Sequence, residues 1–294
     1  MKILSQKSLI ETLGSWEAVC RHLQKQSNEE KNEDYYNWLL SLKDLSPSGY
    51  KKGLFFDHNF YHFLYNVKKK VNETTQQHVL VFTGKTGKGK STMASQAAAC
   101  LCPTLSFNDV CYIPSQFFKR MAYAKRGDII WIDEGDRFFA RYVGKTKLGQ
   151  HLAEVLGTIR STGVILIICF SKYNKLIDVV SEDFVDTIIL KKIDEKANGI
   201  NKYRNYTCFV SKAVALINAF IKKTKKTIEE VRVKDYNWNG HNSSEIPTIN
   251  DFNEKKYFEN KEKYKKTRYL ELSKYYEQEE KKNEENSDIN IENE

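Results

Sequence analysis

The stretch HVLVFTGKTGKGKSTMASQAAAC, residues 78–100, decides how this chain is read. It opens on an unalternating apolar run of strand length and closes on small residues that favour a helix. Between them, GKTGKGKS satisfies G-x-x-x-x-G-K-[ST] in the strand-then-helix context that this pattern requires. Gly84, Gly87 and Gly89 allow backbone angles and a close approach that a Cβ would block, so successive N–H groups can wrap an anion. Lys85, Thr86, Lys88 and Thr92 complete the expected cradle around them. Lys90 is placed to reach the β- and γ-phosphates as a point charge, and the Ser91 hydroxyl to bind the Mg²⁺ that bridges them. The positive end of the helix adds to the attraction. The spacing therefore predicts a nucleotide-phosphate site, with ATP and Mg²⁺ as the expected ligands.

Working outward, short runs rich in Ile and Val recur at 78–82, 109–113, 128–133, 164–170 and 185–190, as strands buried on both faces should. Helical segments lie between them: STMASQAAACL, PSQFFKRMAYAK with Pro114 in a first turn, and GQHLAEVLGTIRS. That alternation predicts an α/β fold, a mainly parallel sheet sandwiched by helices. YRNYTCFVS is expected to return antiparallel on the edge, followed by a helix over AVALINAFIKKTKK.

The third run, DIIWIDEGDRFF, puts Asp133 and Glu134 at the carboxyl end of a strand, where ligands gather in open α/β sheets. Asp133 is expected to be the second anchor of the Mg²⁺, and Glu134 to polarise a water in line with the γ-phosphorus. Asp136 is a weaker candidate for the same work, because Gly135 puts it beyond the strand end. Two readings of Arg160 stand side by side: an arginine sent across a subunit boundary to a neighbour's γ-phosphate, or a helix-end residue capping carbonyls. Ser171 and Asn174, in FSKYN, are polar groups able to sense the γ-phosphate, and loop polarity alone explains them equally well.

The 294 residues carry a formal net charge of +9, which is compatible with a polyanionic partner and equally with a surface kept basic for solubility. Six scattered cysteines lack zinc-ligand spacing and read as reduced, mostly buried residues. The opening MKILSQKSLIETLGSW has no secretory apolar stretch, and the longest apolar run, VILIICF, is far short of the ~20 residues of a membrane helix. The expectation is a cytoplasmic protein with no membrane span.

GKTGKGKST, IIWIDEGDRFF and TIRSTGVILIICFSK together resemble the P-loop ATPases with an added strand and a catalytic glutamate. Within them the likeness is to the FtsK/HerA-type DNA-pumping motors, which include packaging ATPases and zonular-occludens-toxin-like proteins. The resemblance spans about 77–190. It implies a homo-oligomeric ring, often of six subunits, that pulls DNA through a pore, with nucleotide at subunit boundaries and Arg160 completing a neighbour's site. Such motors commonly end the fourth strand with Gln, where this chain has Phe170-Ser171.

The expected organisation is a helical N-terminal region (1–70), the ATPase core (71–222), a polar connector and charged helix (223–281), and a disordered acidic tail (282–294). The Lys-, Arg- and Tyr-rich helix is suited either to a phosphate backbone with stacked bases or to solvent. The expected activity is Mg²⁺-dependent ATP hydrolysis coupled to DNA translocation or packaging. Its alternatives are a slow ATP-dependent switch or scaffold that binds a protein partner, and a kinase that passes phosphate to an acceptor.

Overall fold

The computed structural model describes residues 12–42, 58–74, 76–84, 87, 89–102, 104–139, 146–159, 161–171, 185–193, 203–212, 238–243 and 253–291. The chain divides into two compact units, Met1–Asn253 and Glu254–Glu294.

Ahead of the sheet in the first unit stand α1 (Trp16–Gln26), α2 (Glu33–Ser41) and α3 (His58–Glu73). Their starts follow local chemistry: Ser15 caps α1 by accepting the Ala18 N–H, and Asn32 caps α2 by accepting that of Tyr35. Trp16, Val19, Cys20 and Leu23 repeat at helical spacing and are buried. The aromatic stripe of α3 is core, as its periodicity suggests: the Tyr65 ring packs at a tilt, 5.0 Å from Tyr35 and 5.6 Å from Trp38 of α2.

The sheet follows: β1 (His78–Thr83), α4 (Lys90–Leu101), β2 (Val110–Cys111), α5 (Pro114–Ala122), β3 (Ile129–Ile132), α6 (Asp136–Phe139), α7 (Lys147–Ile159), β4 (Ile165–Phe170), β5 (Thr187–Ile193), β6 (Tyr203–Lys212) and β7 (Trp238–Ser243). Its order is β2-β3-β4-β1-β5-β6-β7. β2 through β5 pair in parallel, whereas β5–β6 and β6–β7 are antiparallel. The fourth strand is thus inserted between the first and the third, with Ile165 opposite both His78 and Ile129. Every residue of β1, β3 and β4 is buried, as the unalternating runs require.

Alternate residues of these strands serve the two faces. Val79, Val81, Ile130, Ile132, Leu166 and Ile168 share a cluster with Phe117 of α5, Phe138 and Phe139 of α6, and Leu152 and Leu156 of α7. On α4, which packs against β1, β3 and β4, Ala94, Ala97 and Ala98 are fully buried, and such small side chains let a helix approach a sheet closely. Helices therefore cover both faces, and the α/β sandwich is the observed fold. Among the described residues no helix is long and apolar enough to cross a membrane. Cys20, Cys100, Cys111 and Cys169 are buried free thiols, and burial pushes those of Cys20 and Cys111 up to about 12.

Three expectations are corrected. The second strand is shorter than 109–113, because Asp109 closes a 3₁₀ turn with Ser106, and the N–H groups of Tyr112 and Ile113 turn to the Gln116 side chain at the start of α5. The polar connector contains β7 at 238–243, so β6 is not the edge of the sheet. A ladder of backbone hydrogen bonds needs no apolar pattern, and WNGHNS offers none. Finally, the helix of the second unit, α8 (Glu254–Ile291), runs through 282–291, where an acidic disordered tail was expected. Pairs such as Lys265–Glu262 at 2.7 Å and Arg268–Glu271 at 3.2 Å support it earlier along its length. The helix expected over 213–226 lies outside the described residues.

The amino end of β1 carries a buried polar group. His78 lies against Thr187, its Nε2 3.3 Å from the hydroxyl, with Nδ1 3.9 Å from Asp186. Burial pushes the imidazole down from its ordinary 6.5 to about 4. Asp186 pulls the other way, but its carboxylate also accepts the Val79 N–H at 2.9 Å and lies 3.4 Å from the Lys70 ammonium, so burial prevails. Because the folded state refuses a proton that the unfolded chain accepts, stability is full above pH 6.5 and is lost as pH falls through the window towards about 4. Denaturant unfolding across this window will show that decline, and His78→Gln will flatten part of it.

Candidate functional site

Strand register brings the candidate residues together. At the carboxyl end of the sheet Thr83 is opposite Phe170, and Ile132 opposite Ile168, so the segments that leave β1, β4 and β3 emerge at neighbouring tips. Gly84 begins the loop after β1, Ser171 follows β4, and Asp133 follows β3.

The loop is built on left-handed backbone. Gly84, Gly87 and Gly89 have φ of 144°, 76° and 76°, the region that glycine enters at little cost. At Gly87 a Cβ would meet nothing within 4 Å, so it is backbone conformation rather than space that calls for glycine there. Gly89 is the N-cap of α4 and brings no side chain to the helix mouth. Lys90, first residue of α4, folds back across the loop and donates to the Gly84 carbonyl at 2.9 Å. Thr92 stands in the same first helical turn. Lys85, Thr86 and Lys88 lie outside the described residues.

From that turn the Ser91 hydroxyl donates to Asp133 Oδ1 at 2.8 Å, joining residues 42 positions apart in sequence. Asp133 is only 1% exposed, and its N–H donates to the Cys111 carbonyl at 3.1 Å, which fixes it to the β2 side of the sheet. Two hard oxygen donors in contact beside a cationic loop are the donor set that a small divalent cation prefers. The Ser91 hydroxyl and the Asp133 carboxylate therefore fit a small divalent cation such as Mg²⁺ and could hold one.

Glu134 is next, half-buried, with φ of 58°, one of two described non-glycine residues in the left-handed region. The turn around it is tightly tied. Gly135 N–H donates to the Cys169 carbonyl at 2.8 Å, and the Asp136 carboxylate accepts both the Ser171 N–H at 2.9 Å and the Ser171 hydroxyl at 2.6 Å. Asp136 and Ser171, read from sequence as an alternative acid and a phosphate sensor, are thus partners of each other. Nothing in either segment alone signals that pairing; it requires knowing that β4 lies beside β3. Arg160 and Asn174 lie outside the described residues.

A surface concavity of about 780 Å³ is formed elsewhere, by the α1–α2 connection and Lys69. Glu29, Glu30, Glu33 and Asp34 give it the wrong sign for a phosphate.

A glycine loop between β1 and α4, a buried acid ending β3, and a strand inserted between the two are now in place. The chain has the fold of a P-loop NTPase with an additional strand. No protein-family model matches the sequence, and no curated protein matches it. Among solved structures, it is similar to the N-terminal domain of zonular occludens toxin from Neisseria meningitidis, at 15% identity over 60% of this chain and 96% of that one, with a TM-score of 0.35. It is also similar to a KaiC-like protein from Pyrococcus horikoshii, at 18% identity over 47% of this chain and 79% of that one, with a TM-score of 0.29. Both scores are below 0.5, and the fold assignment rests on strand order and loop geometry.

The tightness of the Glu134 turn is open to measurement. A Cβ on Gly135 would stand 2.6 Å from Ile168 Cγ2 and 3.0 Å from the Cys169 carbonyl oxygen. Gly135→Ala is expected to cost about 1–3 kcal/mol of stability by overpacking, read from the denaturation midpoint.

Proposed function

We propose that this chain is a Mg²⁺-dependent ATP hydrolase that works as a homo-oligomer on DNA. The observation that carries the hydrolase reading is the 2.8 Å hydrogen bond from Ser91 to buried Asp133 beside a left-handed glycine loop. When bound, Mg²⁺ would supply neutralisation of phosphate charge. Ser91 and Asp133 would hold it. Lys90 exchanges its bond to the Gly84 carbonyl for phosphate oxygens, which rewards a polyanionic ligand with a charge that the loop already holds in reserve. Loop amides and the mouth of α4 take the remaining phosphate charge. Glu134, one residue beyond the metal anchor, accepts a proton from water as that water attacks the γ-phosphorus, the bond from phosphorus to the β–γ bridging oxygen breaks, and ADP leaves with that oxygen's electron pair.

An acid beside the metal anchor favours hydrolysis over transfer, since a kinase gains by keeping water out. Action on DNA is supported by the formal charge of +9 and by the motif likeness to DNA-pumping motors. Arg160, late in the segment before β4, is the residue assigned to a neighbour's γ-phosphate in such an oligomer.

Steady-state phosphate release, measured without nucleic acid and with single-stranded or duplex DNA, tests both halves. Hydrolysis is expected, with a several-fold rise on duplex DNA that fades as salt increases. Turnover indifferent to DNA, together with ATP-dependent capture of a protein partner, would instead identify a switch. Phosphate on an acceptor would identify a kinase.

Two substitutions separate the roles. Glu134→Gln should lower kcat by about 10²–10⁴-fold while ATP affinity stays within a few-fold, as read by phosphate release and by nucleotide titration. Lys90→Ala should weaken ATP binding or slow turnover by at least about tenfold, the worth of one charge-assisted contact of about 1.5–3 kcal/mol. Unchanged affinity and activity would remove the loop from the mechanism.

A further inference from the structure

The tip of β4 carries a device that the proposed chemistry has not yet used. Ser171 has one hydroxyl proton, and it goes to Asp136 Oδ1 at 2.6 Å, while the Ser171 N–H goes to Oδ2 of the same carboxylate at 2.9 Å. One residue before Asp136 and two before Ser171, Gly135 N–H bonds the Cys169 carbonyl at 2.8 Å. Three hydrogen bonds therefore join the turn that follows β3 to the end of β4. On the other flank the Asp133 N–H is fixed to Cys111 of β2 at 3.1 Å. Glu134 sits between these two anchor points, in a left-handed conformation that a non-glycine residue leaves readily unless its neighbours are held.

We propose that Asp136 and Ser171 are positioning residues that fix the backbone of Glu134 for its attack-water role, so that the tip of the inserted strand orients the base instead of touching the γ-phosphate. The inference rests on the reading of Glu134 as the base. A hydroxyl can donate to a phosphate oxygen only with the proton it now gives to Asp136, so direct sensing by Ser171 would require the clamp to break. A carboxylate that accepts both donors of one residue holds that residue in both position and rotation. An amide at position 136 offers only one acceptor oxygen, and its NH₂ would face a donor. A threonine at position 171 keeps both donors.

The test compares the full-length wild type with Ser171→Ala, Ser171→Thr, Asp136→Asn and the double variant Ser171→Ala/Asp136→Asn. Each is measured for kcat and KM of ATP hydrolysis and for affinity towards Mg²⁺-ADP. A clamp predicts that Ser171→Ala and Asp136→Asn each lower kcat about 10–100-fold, the order of loss that slight misplacement of a reacting group brings. KM and Mg²⁺-ADP affinity should stay within about twofold, which also reports that the loop is folded. Ser171→Thr should restore most of the rate, and the double variant should be no slower than the worse single one.

Wild-type kcat in both single variants, or losses that multiply in the double variant, would overturn the clamp. A raised KM at unchanged kcat in Ser171→Ala would also overturn it, in favour of direct phosphate contact. Glu134→Gln is run alongside: if it hydrolyses at the wild-type rate, the base assignment fails and the clamp's catalytic role fails with it. If it is inactive while the clamp variants run normally, the clamp alone is wrong.

Discussion

The structure turns on the contact between Ser91 and Asp133, because it requires two remote parts of the chain to meet at one place. Ser91 is carried by the helix after β1, and Asp133 by the turn after β3, yet β1 and β3 are not neighbours. β4 lies between them, and two inter-strand steps, each about 4.8 Å in β-sheets, set how far the two tips stand apart. The helix bridges that distance, because its small buried residues let α4 lie against β1, β4 and β3 together. Burying a carboxylate to 1% exposure is costly unless hydrogen bonds or a cation compensate it. The alanines of α4 and the buried acid are thus two sides of one arrangement: the former bring the hydroxyl that helps make the latter tolerable.

Rigidity around Glu134 has an energetic counterpart. A non-glycine residue in the left-handed region costs about 1–3 kcal/mol, and the segment must recover that cost nearby. Immediately after the turn, Phe138 and Phe139 of α6 are fully buried, against Phe117 at 6.4 Å in edge-on contact. Each such side chain contributes about 1.5–3 kcal/mol on burial, enough to offset the strain. The sequence DEGDRFF can therefore be read as a strained polar turn followed by its apolar anchor. A softer anchor would let the turn relax, and Glu134 would relax with it.

Much of this was legible in the sequence, for reasons that vary by element. β1, β3 and β4 were visible because a strand buried on both faces must be apolar throughout, which leaves little ambiguity in HVLVF, IIWI or ILIICF. The loop was visible because three left-handed positions demand glycine, and because a helix start and a strand end bracket it. β7 was not visible, since antiparallel pairing at the sheet margin is made by backbone groups that WNGHNS possesses like any other peptide. The Asp136–Ser171 pair was hidden for a different reason: each residue is an ordinary polar loop position by itself, and only the crossover order of β3 and β4 makes them partners. Sequence spacing carries information about contacts within an element and very little about contacts between strand tips.

Reading the three tips together gives a division of labour that the fold imposes. The tip of β1 turns into glycine because its backbone runs through left-handed angles at Gly84, Gly87 and Gly89. That of β3 ends in an acid because it faces a hydroxyl across an intervening strand. The tip of β4 lies between the two. What it offers is proximity to the turn of β3, and Ser171 uses that proximity through both of its donors. The serine side chain is short, and both its hydroxyl and its N–H reach the neighbouring turn at Asp136. Side-chain length at this central position thus sets which neighbouring segment the tip of the inserted strand can reach.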